Sequence, residues 1–223
     1  MLAIQVAELR FATEEGVLVL DGLSFGVPRE GFVWVVGPPG SGKTLLLRIL
    51  LGEVRPHGGQ ILLLGRNIPR LSKKKFRAIR RKVGYIAEEP SVLPGRTVLG
   101  NLTFKLRALG VRKEAADEAM ERALDLAQLR GQESRRAEEL SAAELLRLSL
   151  ALALSPECSV LLADDPLRNI APAEKDGFLS VLSRVNQAGI TILATSREVA
   201  PLLRFGFSPE GRGVVFLREN VAR

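Results

Sequence analysis

The chain has 223 residues, with 32 Lys and Arg against 25 Asp and Glu, which gives a formal net charge of +7. A chain of this length can bury a large apolar core without disulfides or structural metals. One cysteine, Cys158, and one histidine, His57, exclude an internal disulfide and a Cys/His zinc cluster. The basic excess favours anionic partners: nucleotides, nucleic acids or acidic membrane surfaces.

The first residues and the longest apolar run show whether the sequence contains a signal peptide or a membrane-spanning helix. Residues 1–10 mix Gln, Glu and Arg with apolar residues, unlike a signal peptide. The longest apolar run with helical character, Leu148 to Ser155, is well short of the roughly 18 residues that a membrane-spanning helix needs. We therefore expect a cytosolic protein in which this run forms a core helix.

The predicted elements follow an α/β pattern with a helical insertion. In the first third we expect strands at 4–11, 17–25, 32–36 and 60–64, a turn at 28–31, and a helix at 44–51. From about Pro90 to Leu140 the composition changes to Leu, Ala, Arg and Glu at helical spacing. The alternation then resumes with helices at 141–154 and 174–188, strands at 160–163, 190–194 and 214–217, and a short helix before the last strand. An α/β layered sheet with right-handed crossovers buries such strands economically.

The strongest motif is a glycine-rich loop between the apolar strand 32–36 and the following helix. Its residues are Gly37, Pro38, Pro39, Gly40, Ser41, Gly42, Lys43 and Thr44, which match G-x-x-x-x-G-K-[ST]. Glycines let main-chain N–H groups converge on phosphate oxygens at a helix N-terminus. Lys43 can reach the β- and γ-phosphates, and the Thr44 hydroxyl can ligate Mg²⁺. The alternative is a turn with an exposed lysine, and the motif alone does not separate a transporter ATPase from a kinase or a GTPase.

A second chemical signal is a pair of acids at the end of the apolar strand 160–163. Unpaired carboxylates are costly at the end of a buried strand, so Asp164 and Asp165 indicate a cation or a phosphate network. Asp164 is placed to bind Mg²⁺, directly or through water, and Asp165 to face an attacking water. A strand-end turn capped by Asp is the alternative.

Several segments, in this order and spacing, resemble the ABC-transporter ATPase family. They are Pro56, Gly59 and Gly65; Arg80 to Ile86; Arg96-Thr97-Val98 with Asn101; Leu140-Ser141-Ala142-Ala143-Glu144 with Arg147, at the Leu-Ser-Gly-Gly signature; Leu161 to Pro166, at the Walker B strand; and Asn186, Gly189 and Ala194-Thr195. The resemblance covers nearly the whole chain. Within the family these segments are most similar to the cell-division branch, FtsE, with lipoprotein- and macrolide-type exporters next.

The resemblance implies an α/β fold of the P-loop NTPase, ABC-type class, with a parallel or mixed sheet, an N-terminal antiparallel β part and an inserted α-helical subdomain. It implies one ABC ATPase domain over residues 1–223, with the core in 1–89 and 141–223 and the helical subdomain in about 90–140. It implies ATP and Mg²⁺ as cofactors, with Phe11 stacking on adenine and Ser141 joining the phosphate loop in nucleotide binding. The implied metal positions are Thr44, Glu88 and Asp164, and the implied catalytic positions are Asp165 and Ser196. Phe11 is as well explained as a sheet-edge or core aromatic.

The departures from the family pattern fall mainly on hydrolysis. They are Glu88 for glutamine, Ala142 and Ala143 for the two signature glycines, Asp165 for the catalytic glutamate, Ala171 for aspartate, and Ser196 for the switch histidine. A general base one methylene shorter stands back by about an ångström, which can cost roughly a hundredfold in rate. A lost hydrogen bond to a charged γ-phosphate removes about 1.5–3 kcal/mol. We expect hydrolysis to be slow, and whether the chain is an effective ATPase stays open.

Two features have a structural as well as a functional interpretation. Ser141-x-x-Glu144 is a capping box in front of an apolar helix, and the same serine is the signature residue that would face a phosphate. Between Arg66 and Lys82 there are nine Lys or Arg and no acid. Such a run is a solvated face, a contact with anionic headgroups or, less well supported without interleaved aromatics, a nucleic-acid contact.

These residues support two main functional hypotheses. The first is a cytoplasmic ATP-binding subunit, peripheral on the inner face of the cell membrane, which docks through Glu88 to Leu106 on an FtsX-like transmembrane subunit. The second is an ATP-binding scaffold without significant hydrolysis; an ATPase subunit of a lipoprotein- or macrolide-type exporter is a further alternative. In each case a head-to-tail homodimer, or a heterodimer with another ABC ATPase subunit, is implied by the resemblance. No nucleic-acid partner is expected, and a nucleic-acid-linked ABC protein is the least favoured alternative.

Overall fold

The structure is a computed structural model that describes residues 1–154, 157–207 and 213–217. The chain divides into two compact units, Met1–Arg80 with Thr191–Arg223, and Arg81–Ile190. No helix within the described ranges is both long and apolar enough to cross a bilayer.

Strands and helices alternate over most of the chain. The strands are β1 Leu2–Ala12, β2 Leu18–Pro28, β3 Phe32–Val36, β4 Gly58–Leu63, β5 Arg66–Asn67, β6 Val83–Ile86, β7 Val160–Ala163, β8 Thr191–Ser196 and β9 Val214–Phe216. The α-helices are α1 Lys43–Leu50, α2 Lys73–Arg80, α3 Val98–Ala108, α4 Lys113–Leu126, α5 Ala142–Leu154, α6 Pro172–Gln187 and α7 Ala200–Arg204. Short 3-10 turns lie at Ile68–Arg70 and Ala137–Glu139.

The first unit contains an antiparallel sheet and a parallel set of strands. The antiparallel sheet has the order β2-β1-β4-β5, with Val6 opposite Phe25 on one side and Ile61 on the other. In the parallel set, β3 lies between β8 and β9, and Trp34 pairs with Ala194 and Val214. A strand with parallel neighbours on both sides is buried on both faces, which explains why Phe32–Val36 is apolar without interruption.

The second unit packs four helices with a parallel pair of strands. β6 pairs with β7 from Val83 opposite Val160 to Ile86 opposite Ala163. Helix α5 contacts β6, and α3, α4 and α6 each contact α5. The carboxyl ends of β6 and β7 lie side by side, so the residues that follow Ile86 and Ala163 emerge at one edge, where α/β proteins place ligand-binding loops.

The predicted α/β class, the N-terminal antiparallel part and the helical insertion are confirmed. Strand Val160–Ala163 is found as predicted, and the helix predicted at 174–188 spans Pro172–Gln187. Helix α2 was not predicted, because its sequence is basic except for Phe76, Ala78 and Ile79. None of its residues is buried. The predicted domain limits at residues 89, 90, 140 and 141 stay a prediction.

Candidate functional site

The glycine-rich loop joins β3 to α1 and is shaped by two close contacts. A Cβ atom at Gly37 would lie 2.6 Å from the Ser41 Oγ and 2.9 Å from the Leu217 carbonyl oxygen. At Gly42, which caps α1, φ is +90° and an added Cβ would lie 2.9 Å from a Leu20 methyl group. Only glycine meets both demands without displacing its neighbours. The loop therefore holds its main chain tightly against the strand and sheet behind it.

Lys43 is the charged centre of this loop. It is 93% buried, and its Nζ donates to the carbonyl oxygens of Gly37 at 2.6 Å and Pro38 at 2.7 Å, and to the Ser41 Oγ at 3.3 Å. A buried ammonium is stable only when oxygens surround it. Thr44, the next residue, is exposed in the first turn of α1. The ammonium and the helix N-terminus thus form a compact positive site next to an exposed hydroxyl, which suits a phosphate and its metal.

Ser196 adjoins the same loop but uses its hydroxyl locally. The Gly37 N–H donates to the Ser196 carbonyl oxygen at 3.2 Å. The Ser196 Oγ donates to the Glu198 carbonyl oxygen at 2.8 Å and accepts from the Glu198 N–H at 3.1 Å. Because the hydroxyl proton is bound within its own turn, it reaches a phosphate only if this turn opens.

Phe11, the predicted adenine-stacking residue, lies near the end of β1 beside His57. The two ring centroids are 5.1 Å apart at an angle of 58°. His57 is fixed because its ring Nδ1 accepts from the Ala12 N–H at 3.2 Å and its main-chain N–H donates to the Arg10 carbonyl oxygen at 2.9 Å. Phe11 is half-buried and keeps part of its ring exposed, so the stacking role stays a prediction.

In the second unit, Asp164 and Asp165 follow β7 and are both buried, with 3% and 6% exposure. Asp164 still belongs to the ladder, since its N–H donates to the Ile86 carbonyl oxygen at 2.9 Å. Asp165 has φ +43°, in the left-handed region. The Arg168 N–H donates to the Asp165 carbonyl oxygen at 3.1 Å. Backbone in this region is uncommon for residues other than glycine and is often found at functional sites.

Glu88, the predicted metal ligand after β6, is held by the turn that follows β7. Its carboxylate forms an ion pair with the Arg168 guanidinium. The Asn169 Nδ2 donates to the Glu88 carbonyl oxygen at 3.2 Å. The structure thus brings Glu88 together with the segment that carries Asp165. Sequence reasoning missed Arg168 and Asn169 and predicted no strand at 83–86. The available signal was a pair of opposite charges shortly after the segments 83–86 and 160–163.

Ser141 begins α5 as half of a capping box. The Ser141 N–H donates to the Glu144 carboxylate at 2.8 Å, and the Glu144 N–H donates to the Ser141 Oγ at 3.3 Å. Arg135 donates to the same carboxylate at 2.5 Å. The hydrogen bond from Arg135 is the main cause that lowers the Glu144 pKa below its ordinary value, and the Ser141 N–H adds to it. The signature serine, Ser141, therefore caps the start of α5.

The two alanines in the signature differ in exposure. Ala142 is exposed, whereas Ala143 is 8% exposed and counts among the core residues. The Ala143 methyl group is thus explained by packing. The Ala142 methyl group stands at the surface beside Ser141, where it would meet any group that approaches the helix N-terminus.

Comparison with known proteins identifies the family. Residues 20–168 match the ABC transporter family. The chain belongs to this family. It is 30% identical over 195 residues to the cell division ATP-binding protein FtsE of Bacillus subtilis, covering 87% of this chain and 86% of that protein. It is 35% identical over 184 residues to the methionine import ATP-binding protein MetN of Thermobifida fusca, covering 82% of this chain and 57% of that protein.

Solved ABC structures share the fold. CbiO1 of Clostridium perfringens, part of the ABC transporter complex CbiONQ, superposes with a TM-score of 0.82 at 21% identity, over 89% of this chain and 79% of that chain. The dimeric structure of a bacterial ABC transporter cassette superposes with a TM-score of 0.79 at 21% identity, over 96% and 94%. The chain is thus an ABC-type ATP-binding domain with a P-loop NTPase fold, as the sequence predicted.

Proposed function

We propose that this chain is the ATP-binding subunit of an FtsE-like ABC membrane complex, which binds Mg-ATP, closes as a dimer and hydrolyses ATP slowly. The carrying observation is the loop 37–44, in which the buried Lys43 ammonium is held by main-chain carbonyl oxygens at a helix N-terminus. A triphosphate can take over these ammonium contacts, and charge-assisted hydrogen bonds of this kind are strong. The FtsE proteins that this chain resembles support the choice of branch.

The oxygen ligands present fit Mg²⁺. The Thr44 hydroxyl and the carboxylates of Asp164 and Glu88 are hard oxygen donors, and Mg²⁺ is usually held by one or two carboxylates together with substrate phosphates. Asp164 is buried, with 3% exposure, and a buried carboxylate favours a cation nearby. The bound metal would neutralise charge on the phosphates.

Slow hydrolysis follows from the groups that replace the family's catalytic residues. The Ser196 hydroxyl donates its proton to the Glu198 carbonyl oxygen within its own turn. It therefore offers a γ-phosphate a weaker hydrogen bond than a free histidine would. Asp165 has a shorter side chain than glutamate and follows a residue still fixed in the strand ladder. Each change weakens transition-state stabilisation and leaves the phosphate loop intact.

The test is isothermal calorimetry of the full chain with ATP, with and without Mg²⁺, beside Lys43→Ala. We expect micromolar, Mg²⁺-dependent affinity that falls roughly tenfold to a hundredfold in the variant, because a charge-assisted contact worth about 1.5–3 kcal/mol is lost. Lys75→Ala, a lysine exposed on α2, is the control and leaves the affinity unchanged. An affinity that does not respond to Mg²⁺ or to Lys43→Ala contradicts the proposal.

A transmembrane partner of FtsX type is part of the same proposal. Among the described residues of the unit Arg81–Ile190, the exposed large apolar side chains all lie in one segment; they are Leu93, Leu99, Phe104 and Leu109. Asn101, which is buried, fixes the start of this segment by bonding to both the N–H and the carbonyl oxygen of Leu93. A fixed segment that exposes apolar side chains suits docking on another protein.

Co-expression with an FtsX-type membrane subunit tests the partner. Phe104 is 47% exposed and lies under the Arg96 guanidinium, so Phe104→Asp changes the surface without opening a core cavity. We expect much less co-purification with the membrane subunit and unchanged Mg-ATP affinity. Phe216→Asp, at a 49% exposed phenylalanine outside this segment, is the control. Equal co-purification of Phe104→Asp and wild type counts against this docking surface.

Localisation at the inner face of the cell membrane follows from such a partner. The helix α2 adds a second attraction, because it has no buried and no acidic residue and lies in a stretch of nine basic residues. Basic side chains near an anionic leaflet contribute about 1 kcal/mol each. A homodimer, or a heterodimer with another ABC ATPase subunit, would bring the Ser141 end of α5 to a second nucleotide.

The ATP-binding scaffold is the second candidate, favoured by the closed Ser196 turn. Turnover of the purified chain, measured alone and with the membrane subunit, separates the two functions. Turnover above that of Lys43→Ala, rising with the membrane subunit, supports the coupled ATPase. Turnover equal to Lys43→Ala in both cases, with ATP affinity intact, supports the scaffold. An exporter of lipoprotein or macrolide type would instead couple to a substrate-carrying membrane subunit.

A further inference from the structure

We propose that Arg168 is a positioning residue of the ATPase site: it ties the turn that holds Asp165 to the loop that holds Glu88. This inference rests on the function proposed above. The contacts that carry it all lie within the unit Arg81–Ile190. The three residues Glu88, Arg168 and Asn169 are called the Glu88 clasp below.

The backbone needs such a tie just beyond the strand ladder. β6 and β7 are paired up to Ile86 and Ala163, and the last contact of the ladder is from the Asp164 N–H to the Ile86 carbonyl oxygen. Asp165 is the next residue. It is therefore positioned by its own turn and by whatever holds that turn.

The turn at Asp165 has an unusual backbone. Its φ of +43° is a conformation that side chains disfavour, although Asp tolerates it better than most residues. The Arg168 N–H closes the turn by donating to the Asp165 carbonyl oxygen at 3.1 Å. Such a conformation persists only where surrounding contacts enforce it.

The side chains of the Glu88 clasp supply those contacts from outside the turn. Arg168 pairs with the Glu88 carboxylate, and the Asn169 Nδ2 donates to the Glu88 carbonyl oxygen at 3.2 Å. Arg168 therefore acts twice. Its main-chain N–H closes the turn at Asp165, and its side chain ties this turn to the loop that carries Glu88. Because these two consecutive residues bind both the side chain and the main chain of Glu88, they restrain the orientation of the turn relative to the Glu88 loop as well as the distance between them.

The pair acts on orientation and charge more than on stability. The side chains of Arg168 and Glu88 are 46% and 27% exposed, and exposed ion pairs stabilise a fold little. The Arg168 guanidinium also offsets the negative charge that Glu88 adds beside the turn of Asp165. Displacement of a catalytic group by about an ångström can cost roughly a hundredfold in rate, so a small restraint has a large kinetic effect.

Single-turnover hydrolysis of labelled ATP, with the full chain in excess and Mg-ATP affinity measured in parallel, tests the inference. We expect Arg168→Ala to slow hydrolysis about fivefold to fiftyfold with affinity within about twofold of wild type. Arg168→Lys retains more activity, because it keeps the charge.

The control is Arg184→Ala, which removes an ion pair to Asp125 in the same unit at the same 46% exposure of the arginine. It leaves hydrolysis unchanged. The inference is overturned if Arg168→Ala hydrolyses ATP like wild type, if Arg184→Ala slows it equally, or if the loss is entirely in affinity. If wild type hydrolyses no faster than Lys43→Ala, the inference falls as well, whereas Mg²⁺-dependent ATP binding in calorimetry still upholds the ATP-binding part of the proposed function.

Discussion

The loop after β3 and the turn after β7 both follow a buried parallel strand, but they hold their charged groups by different means. In the first, the Lys43 ammonium is held by the carbonyl oxygens of Gly37 and Pro38, which are main-chain groups. In the second, the Arg168 side chain of the turn pairs with another side chain, the Glu88 carboxylate from the loop after β6. Main-chain geometry survives most substitutions, whereas side-chain geometry changes with each one.

This difference explains why binding and hydrolysis can separate in one chain. A phosphate loop built from main-chain groups keeps its function as long as glycine stays where space or φ demands it. A catalytic turn built from side chains can be rebuilt around new pairs while its original chemistry weakens. The sequence of this chain keeps the phosphate-loop motif at 37–44 and departs from the family pattern at Glu88, Asp165 and Ser196.

The largest effect is expected at Gly37. Gly37→Ala places a methyl carbon 2.6 Å from the Ser41 Oγ and 2.9 Å from a main-chain oxygen, so the loop must move. We expect at least a tenfold loss of ATP affinity and a stability loss of about 2 kcal/mol, typical of overpacking. Calorimetry with ATP and urea denaturation measure the two effects.

The matched control is Gly95→Ala, because nothing lies within 4 Å of a Cβ added there. It changes ATP affinity and the urea midpoint little. If Gly37→Ala behaves like Gly95→Ala, the loop does not depend on main-chain packing, and the contrast with the turn after β7 loses its basis.

The next effect is a gain. Asp165→Glu together with Ser196→His restores the family's side chains, and we expect turnover to rise about tenfold, the effect of roughly 1.4 kcal/mol in the barrier. Two costs limit the gain: Glu tolerates φ +43° less well than Asp, and Ser196 is 3% exposed, so histidine must displace neighbours. Steady-state phosphate release measures turnover, with Lys43→Ala as the background. No gain in a variant that still binds ATP counts against the roles assigned to these two positions.

The sequence predicted the first region better than the second for a physical reason. The phosphate loop is local in sequence: the strand Phe32–Val36 is found as predicted, and the helix, predicted at 44–51, is found at Lys43–Leu50. The contact between Glu88 and Arg168 joins residues far apart in the chain. It depends on the pairing of β6 with β7, which periodicity alone does not reveal.

Helix α2 and Ser196 show the same limit. Helix α2 was missed because its apolar residues are too few to mark a face. In the structure, however, the Phe76 ring packs so close to Gly52 that a Cβ atom at Gly52 would lie 2.5 Å from the ring. Ser196 stands at the position of the family's switch histidine, and the turn that ties its hydroxyl to Glu198 could not be foreseen from the residue type. In both cases a tertiary or local backbone contact decides what the side chain does.

A smaller effect is expected at Ser141, where capping and function overlap. Ser141→Ala removes the acceptor for the Glu144 N–H, and we expect a loss of about 1 kcal/mol in unfolding free energy. Urea denaturation measures it. Ser180→Ala, which removes an exposed hydroxyl bonded to the Asp176 carbonyl oxygen within α6, is the control and changes stability by less than about 0.5 kcal/mol. Equal stability of wild type and Ser141→Ala would leave the serine with a purely functional role.

The smallest effect is the pH dependence of the Glu144 charge. Its folded-state pKa lies below the ordinary 4.5, chiefly through the hydrogen bond from Arg135. Stability from a lowered carboxyl pKa is fully present above the unfolded value and is lost as the pH falls through the folded value. Because the two side chains are 37% and 24% exposed, solvent screening limits the contribution to about 0.5 kcal/mol.

Glu144→Gln isolates this charge, since the amide oxygen can still accept from the Ser141 N–H. At pH 7 we expect the variant to unfold at slightly lower urea concentration than wild type, and the gap to close as the pH falls below 4.5. Raising the salt concentration at pH 7 narrows the same gap, because Arg135 is partly exposed. A gap that stays constant through the acid range would show that the helix start depends on hydrogen-bond geometry, as the phosphate loop does, and not on the charge of its side chain.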